Sequence, residues 1–423
     1  MPTTDFPSPS AWLRYRYTAL AFFAGLYDVA LDSLESFTLP SSHPLNASRL
    51  PVSRTDVGGI IDQRVLVTGA ASGLGREVVL TAVEAAVASV AGPIGGTDER
   101  KRTLTIVALD VAKPEHFLNL VTDVAAICRA DSDPPRPALF DHVFTTRFTT
   151  PRLTITLHLA RVDLLSVSSL TNFLHNDLPR LIPSSTPFTT LFLNAGAVTL
   201  SFHKTSAGLD RLFHLHVLAN HQLVRSLISQ NLVCPNTTRI LLTASDAHRG
   251  DPPPPDFFAS PKSYSLMVPR EYGWDGGQLA YARSKFLALA WLAELFRRHH
   301  PTPNIPTPRF AAFCPGAMRT NIAASAAGEW ALARFAAEYV VGPCLPSPKG
   351  AAATVFYLMT ADERKWEEAR KSLQGSGDVP VYVHLGKVED PHPDAWNGTV
   401  GKKLWEELEE ILRKEGGAEG PKL

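Results

Sequence analysis

Short apolar runs rich in Val, Ile and Leu recur through the middle of the chain: "RVLVT" (64–68), "TLTIVALD" (103–110), "RLTITLHLARVDL" (152–164), "TTLFLNAG" (189–196), "RILLTAS" (239–245) and "RFAAFCPG" (309–316). Stretches with helical spacing, such as "GLDRLFHLHVLANHQLVRSLIS" and "YARSKFLALAWLAELFRRHH", lie between most of them. Buried strands alternating with helices predict an α/β fold, a doubly wound parallel sheet covered on both faces. The ends differ in texture. Residues 12–34, "WLRYRYTALAFFAGLYDVALDSL", place Arg14 and Arg16 ahead of an apolar run that Asp28 and Asp32 interrupt. The run is shorter than the roughly 20 apolar residues a membrane span needs, so it reads as an amphipathic helix lying on a membrane or on the domain. A Pro/Ser/Gly-rich linker (39–59) follows, and the tail "VGKKLWEELEEILRKEGGAEGPKL" is a charged amphipathic helix. This divides the chain into an N-terminal helix and linker (1–55), one large sheet domain (56–360) and a C-terminal extension (361–423). "RADSDPPRPALFD" and "RGDPPPPDFFASP" are loops by composition.

Composition narrows the partners. With 45% hydrophobic residues the chain has ample material for a core, and 41 basic residues balance 41 acidic ones. No basic face stands out, which excludes nucleic acid as an expected partner. Cys128, Cys234, Cys314 and Cys344 are scattered without metal or redox spacing and read as reduced thiols in a cytosol-facing protein. The Asn-x-Ser/Thr patterns at Asn46, Asn236 and Asn397 carry no weight without a secretory signal.

Candidate chemistry begins at "TGAASGLG", where Gly69, Ser72, Gly73, Leu74 and Gly75 join the first strand to a helix. A turn free of obstructing side chains lets a phosphate approach the helix N-terminus, whose unpaired N–H groups favour negative charge. This is the pattern of a dinucleotide site. Asp110, ending the second strand, suits adenosine ribose hydroxyls and leans toward NAD; Lys101 and Arg102 nearby argue instead for NADP. In "LAYARSK", Tyr281 and Lys285 share one helix face, one turn apart.

With "TGAASGLG", "LNAG", "LLTAS", "YARSK" and "CPGAMRT" in that order, the sequence resembles the short-chain dehydrogenase/reductase family over about residues 63–358. The resemblance implies a Rossmann-like fold, an NAD(P)(H) cofactor and carbonyl–alcohol chemistry. It implies that Gly69, Gly73 and Gly75 form the dinucleotide turn, that Asp163 reaches the adenine, and that Asn194, Ala195 and Gly196 lie beside the adenosine ribose. Ser245 then orients substrate, Tyr281 is the acid/base, Lys285 holds the nicotinamide ribose, and Pro315, Gly316 and Thr320 touch the carboxamide. An ordinary tyrosine has a pKa near 10, and a neighbouring ammonium stabilises its phenolate. One position departs: His216 stands where the family has an asparagine that helps hold a water linking the lysine to solvent. Histidine also hydrogen-bonds water, and Asn220 one turn along is a candidate to compensate. The alternative is a dinucleotide-binding scaffold with impaired catalysis. A metal set built from His214, His216 and His221 lacks an acidic partner.

The layout is similar to the 3-ketosteroid reductase and retinol-dehydrogenase-like branches, which implies a lipophilic substrate and a cytoplasmic protein, on the cytosolic face of the endoplasmic reticulum or lipid droplets. The apolar stretch "NIAASAAGEWALARFAAEYVVGPCL", with Trp330, Phe335 and Tyr339, falls where the family builds its substrate lid. The family's common association through the tyrosine-bearing helix makes a homo-oligomer an expectation as well.

Overall fold

The computed structural model describes residues 57–91, 101–111, 113–129, 142–183, 186–199, 202–234, 238–250, 274–299, 309–316, 318, 347–362 and 379–416. The N-terminal helix, Thr320, Cys344 and the lid stretch lie outside them.

Nine strands form one sheet: β1 (Gln63–Thr68), β2 (Arg102–Asp110), β3 (Val143–Thr149), β4 (Leu153–Arg161), β5 (Thr190–Leu193), β6 (Arg239–Thr243), β7 (Arg309–Cys314), β8 (Val381–His384) and β9 (Lys387–Glu389). Their order is β3-β4-β2-β1-β5-β6-β7-β8-β9, parallel from β4 to β8 with an antiparallel strand at each edge. The order reverses between β1 and β5, which are adjacent and parallel. In such Rossmann-like sheets the crevice for ligands opens at the carboxyl ends of the strands flanking that reversal.

Side-chain alternation explains why the strands read as continuous apolar runs. Val65 and Val67 of β1 face one layer and Leu66 the other; Phe192 of β5 faces the first, Leu191 and Leu193 the second. The first layer holds α1 (Gly73–Ser89), α2 (Pro114–Cys128) and α6 (Pro348–Thr360). The second holds α3 (residues 167–181), α4 (residues 211–229), α5 (Trp274–His299) and α7 (Gly398–Lys414). Both α3 and α4 contain a π-helical turn, at Phe173–Asp177 and His214–Leu218.

The structure adds detail that the pattern did not carry. The run at 152–164 predicts one strand, but β4 is preceded by β3, an antiparallel partner joined by a tight turn in which Thr150 N–H and Leu153 O lie 2.8 Å apart. β3 sits at the sheet edge with only Phe148 buried, so its polar sequence gives little apolar signal. Past residue 360, β8 and β9 extend the same sheet, and α7 packs on α5. That packing is close because position 401 is glycine: a Cβ there would lie 2.9 Å from Glu294 Cβ and 3.1 Å from the Ala290 carbonyl oxygen. Glu409 of α7 also bonds the buried His221 of α4 at 3.0 Å, and His221 in turn accepts from the Trp291 indole at 3.2 Å.

Candidate active site

The glycine turn is built by contacts that admit no side chain. Gly69 (φ 67°) and Gly73 (φ 54°) occupy left-handed backbone, where a Cβ is unfavourable. Gly75 has ordinary backbone, but a Cβ there would fall 2.2 Å from the Gly69 carbonyl oxygen and 2.8 Å from Asn194 Nδ2. Helix α1 can therefore begin hard against the end of β1. Ser72 is its N-cap residue, with no hydrogen bond from its side chain into the helix, and Leu74 is buried beneath the turn. Asp110 is tied to this turn: its Oδ2 accepts the Ala71 N–H at 2.9 Å. Arg102 begins β2 and bonds Asp62 at 3.1 Å, whereas Asp110 ends the strand, about 26 Å away at the usual strand rise. Lys101 and Arg102 thus lie at the wrong end of β2 to meet a ribose phosphate beside Asp110.

Asn194 staples the crevice. Its backbone N–H and that of Ala195 both donate to Thr68 Oγ1, at 2.9 and 3.0 Å. The Asn194 amide donates to Thr68 O and Gly69 O at 3.2 and 3.3 Å, and its Oδ1 accepts from Thr243 Oγ1 at 3.1 Å. The carboxyl ends of β1, β5 and β6 are thereby fixed together. Gly196 follows in a narrow place, where a Cβ would lie 3.3 Å from His216 Nε2 and 3.6 Å from Lys285 Nζ.

Ser245, Tyr281 and Lys285 come together from β6 and α5. The Ser245 hydroxyl lies on the Tyr281 phenol side of the site and favours the phenolate. Lys285 Nζ donates to the Thr243 carbonyl at 2.9 Å and stands 5.7 Å from the centre of the Tyr281 ring. Burial brings the Lys285 ammonium down to about 8 and pushes the Tyr281 phenol up to about 12, with Ser245 pulling the other way.

Both ring nitrogens of His216 have protein partners. Its Nε2 accepts the Ala197 N–H at 3.2 Å, so that nitrogen is bare and Nδ1 carries the proton, donated to Ser284 Oγ at 2.8 Å. Ser284 Oγ passes its own proton to the Tyr281 carbonyl at 2.7 Å. Burial, and then the Lys285 charge, hold the imidazole well below its usual pKa. With both nitrogens engaged, His216 joins α4 to α5 and to the strand beside the site. Asn220 is also committed, its amide donating to the His216 carbonyl at 2.8 Å.

Asp163 is exposed after β4, with Oδ1 accepting from Leu165 N–H at 2.9 Å. Pro315 and Gly316 (φ 71°) leave β7 beside the site. His214 bonds Thr205 and His221 bonds Glu409, so the three histidines of α4 face different partners; among the described residues no cluster could hold a metal.

Several residues around the site had no signal of their own in the sequence. Cys314, the last residue of β7, accepts the Asp246 N–H at 3.1 Å and sits opposite His384 across the β7–β8 pair. Although burial opposes its charge, neighbouring Cys314 and the Glu389 carboxylate 3.5 Å away raise His384 to about 10. His248 is fully buried between Ser245 and the segment after β9. It stands three residues after Ser245 in the chain.

No protein-family model matches the sequence, and no curated protein matches it. Among solved structures, an uncharacterised protein from Mycobacterium paratuberculosis is 16% identical with a TM-score of 0.49, the match covering 85% of this chain and 97% of that one. An oxidoreductase from E. coli is 16% identical with a TM-score of 0.44, covering 78% and 97%. A short-chain dehydrogenase from Shigella flexneri, complexed with NADP, is 16% identical with a TM-score of 0.44, covering 77% and 98%. These are likenesses of outline, and the chemistry of this chain rests on its own residues.

Proposed function

We propose that this chain is an NAD(P)(H)-dependent oxidoreductase that interconverts a ketone and a secondary alcohol on a lipophilic substrate. The observation that carries the reading is the meeting of Ser245, Tyr281 and Lys285 at the carboxyl edge of the sheet, beside a glycine turn that opens a helix. The residues present suit a dinucleotide: Gly69, Gly73 and Gly75 keep side chains out of the turn, Asp110 stands at the adenosine side, and Asn194, Ala195 and Gly196 line the reversal between β1 and β5. The bound nicotinamide supplies the hydride. Ser245 donates a hydrogen bond to the oxygen where charge develops, and Tyr281 delivers or removes the proton there. Lys285, one helical turn on, is placed to hold the nicotinamide ribose. Asp110 favours an unphosphorylated ribose, hence NAD(H).

The substrate class is proposed from the apolar stretch around Trp330, Phe335 and Tyr339, and attachment to a cytosolic membrane face from the amphipathic pattern at 12–34. No described helix is long and apolar enough to cross a membrane. The test is cofactor oxidation against ketosteroids, retinoids and aromatic ketones. Tyr281→Phe should bind dinucleotide as the wild type does and lose about 10²–10⁴-fold in turnover. Equal rates would remove Tyr281 from the chemistry.

A second reading, a dinucleotide-binding scaffold with impaired catalysis, is favoured by one observation. Both nitrogens of His216 are engaged by Ala197 and Ser284, which leaves the ring no valence for a water relay to Lys285. That reading expects tight dinucleotide binding with no turnover in the wild type, and a large gain in rate on His216→Asn.

A further inference from the structure

His248 has no place in the reaction described above, yet it is a polar residue with no exposed surface. Both of its ring nitrogens are used. Nε2 accepts the backbone N–H of His392 at 3.1 Å, and a backbone amide can only donate, so this nitrogen is bare. Nδ1 therefore carries the proton and donates it to the carbonyl oxygen of Ser245 at 2.7 Å. Burial holds the ring neutral, its pKa down to about 4, against the pull of the Ser245 bond; Arg249, Asp246 and His392 are the charged or titratable groups around it. The ring also meets the Tyr382 ring edge-on at 5.2 Å.

The short helical turn Asp246–Arg249 is anchored on three further sides. Asp246 N–H donates to Cys314 Sγ, Arg249 Nε donates to Asp246 Oδ1 at 2.6 Å, and Arg249 Nη2 donates to the Asp390 carbonyl at 2.6 Å. These bonds hold the turn as a whole. Within it the Ser245 carbonyl accepts the His248 backbone N–H at 3.2 Å; the His248 ring adds a second bond to that carbonyl and ties it to the His392 amide, 144 positions beyond His248. The Ser245 hydroxyl, meanwhile, serves two partners from one orientation: it accepts from Ala247 N–H at 3.3 Å and faces the Tyr281 phenol. A shift of the Ser245 backbone would weaken both contacts together.

We propose that His248 is a positioning residue: wedged between the Ser245 carbonyl and the His392 amide, its imidazole fixes the aim of the Ser245 hydroxyl toward Tyr281 and the reacting oxygen. The inference rests on the oxidoreductase reading for its consequence in turnover, and on geometry alone for its effect on Ser245.

Two substitutions separate the two nitrogens. Asn places an amide N–H where Nδ1 stands and gives up His392; Gln reaches the position of Nε2 and gives up Ser245. His248→Gln should lower kcat by about 10²-fold, the cost of misplacing a reacting group by about an ångström, with KM for the dinucleotide changed less than about twofold. His248→Asn should restore at least about tenfold of that loss. Hydrogen exchange at the Ala247 amide reads the hydroxyl's aim without any substrate, and protection should persist in His248→Asn and fall in His248→Gln. Equal kcat in the two variants, equal exchange at Ala247, or a better Gln than Asn overturns the proposal. A wild-type protein that binds dinucleotide but turns over no carbonyl removes the oxidoreductase reading instead, and the exchange comparison then decides the role of His248 by itself.

Discussion

Gly75→Ala puts the tightest contact in the site under test. The added methyl would lie 2.2 Å from the Gly69 carbonyl oxygen, 2.9 Å from its carbon and 2.8 Å from Asn194 Nδ2, where ordinary contact starts at 3.4 Å. The first turn of α1 must back away from β1 by about 1 Å to relieve it. Nothing flexible is available to yield instead: two of the three atoms are backbone, and the third is an amide already bonded to Thr68 O and Gly69 O. Overpacking a tight site costs about 1–3 kcal/mol, and a clash with backbone belongs at the upper end. For a domain of about 300 residues about 3 kcal/mol lowers Tm by roughly 5 °C. The same displacement moves the N–H groups at the start of α1, so dinucleotide affinity should fall at least about tenfold. Calorimetry and a fluorescence titration with NADH and NADPH measure the two effects. Gly398→Ala is the control, since its backbone is ordinary, as at Gly75, and the nearest atom to the added Cβ, Arg297 Nε, lies at 3.6 Å, an ordinary contact. A Gly75→Ala protein that melts within a degree of wild type and binds dinucleotide unchanged would show that α1 does not meet β1 as described.

Acid should destabilise the fold in a definite window. Burial lowers His158, His214 and His248 to about 4, so the unfolded chain binds more protons between about 4 and 6.5, and stability present above 6.5 is lost as pH falls through that range. His384, raised to about 10, acts with the opposite sign, contributing most below 6.5 and losing its contribution as pH climbs to 10; denaturant midpoints that stay flat from pH 7 to 4.5 would contradict the three buried neutral rings. Glu409→Gln should cost about 1–3 kcal/mol by weakening the bond to the buried His221 and the 2.9 Å ion pair with Arg225, read as a lower denaturant midpoint, and an unchanged midpoint would mean α7 is held by packing alone. Asp110→Ser should move the NADH-to-NADPH preference at least about tenfold toward NADPH, because a carboxylate no longer opposes the phosphate; an unaltered ratio would confine Asp110 to its bond with Ala71.

What was legible before the structure follows from how local each signal is. The turn at 69–75 announces itself because the strand, the glycines and the helix are consecutive, and Tyr281 with Lys285 because one helical turn separates them. β3 escaped because an edge strand with one fully buried side chain, Phe148, looks like polar loop. β8 and β9 are short and follow a long interval, and no periodicity marks them. His216 stood out by position, yet its meaning depended on Ser284, 68 residues away, and on a backbone amide. His248 required His392, whose distance in sequence hides the pair completely.

The packing of α7 has a consequence for assembly. From Ala290 to Arg298 the tyrosine-bearing helix spends its outward side on the chain's own tail, with Gly401 pressed to its backbone and the Arg298 guanidinium over Trp405 at 4.5 Å. A second subunit approaching along that stretch meets a surface already claimed in cis. Pairing there has to begin by peeling the tail away.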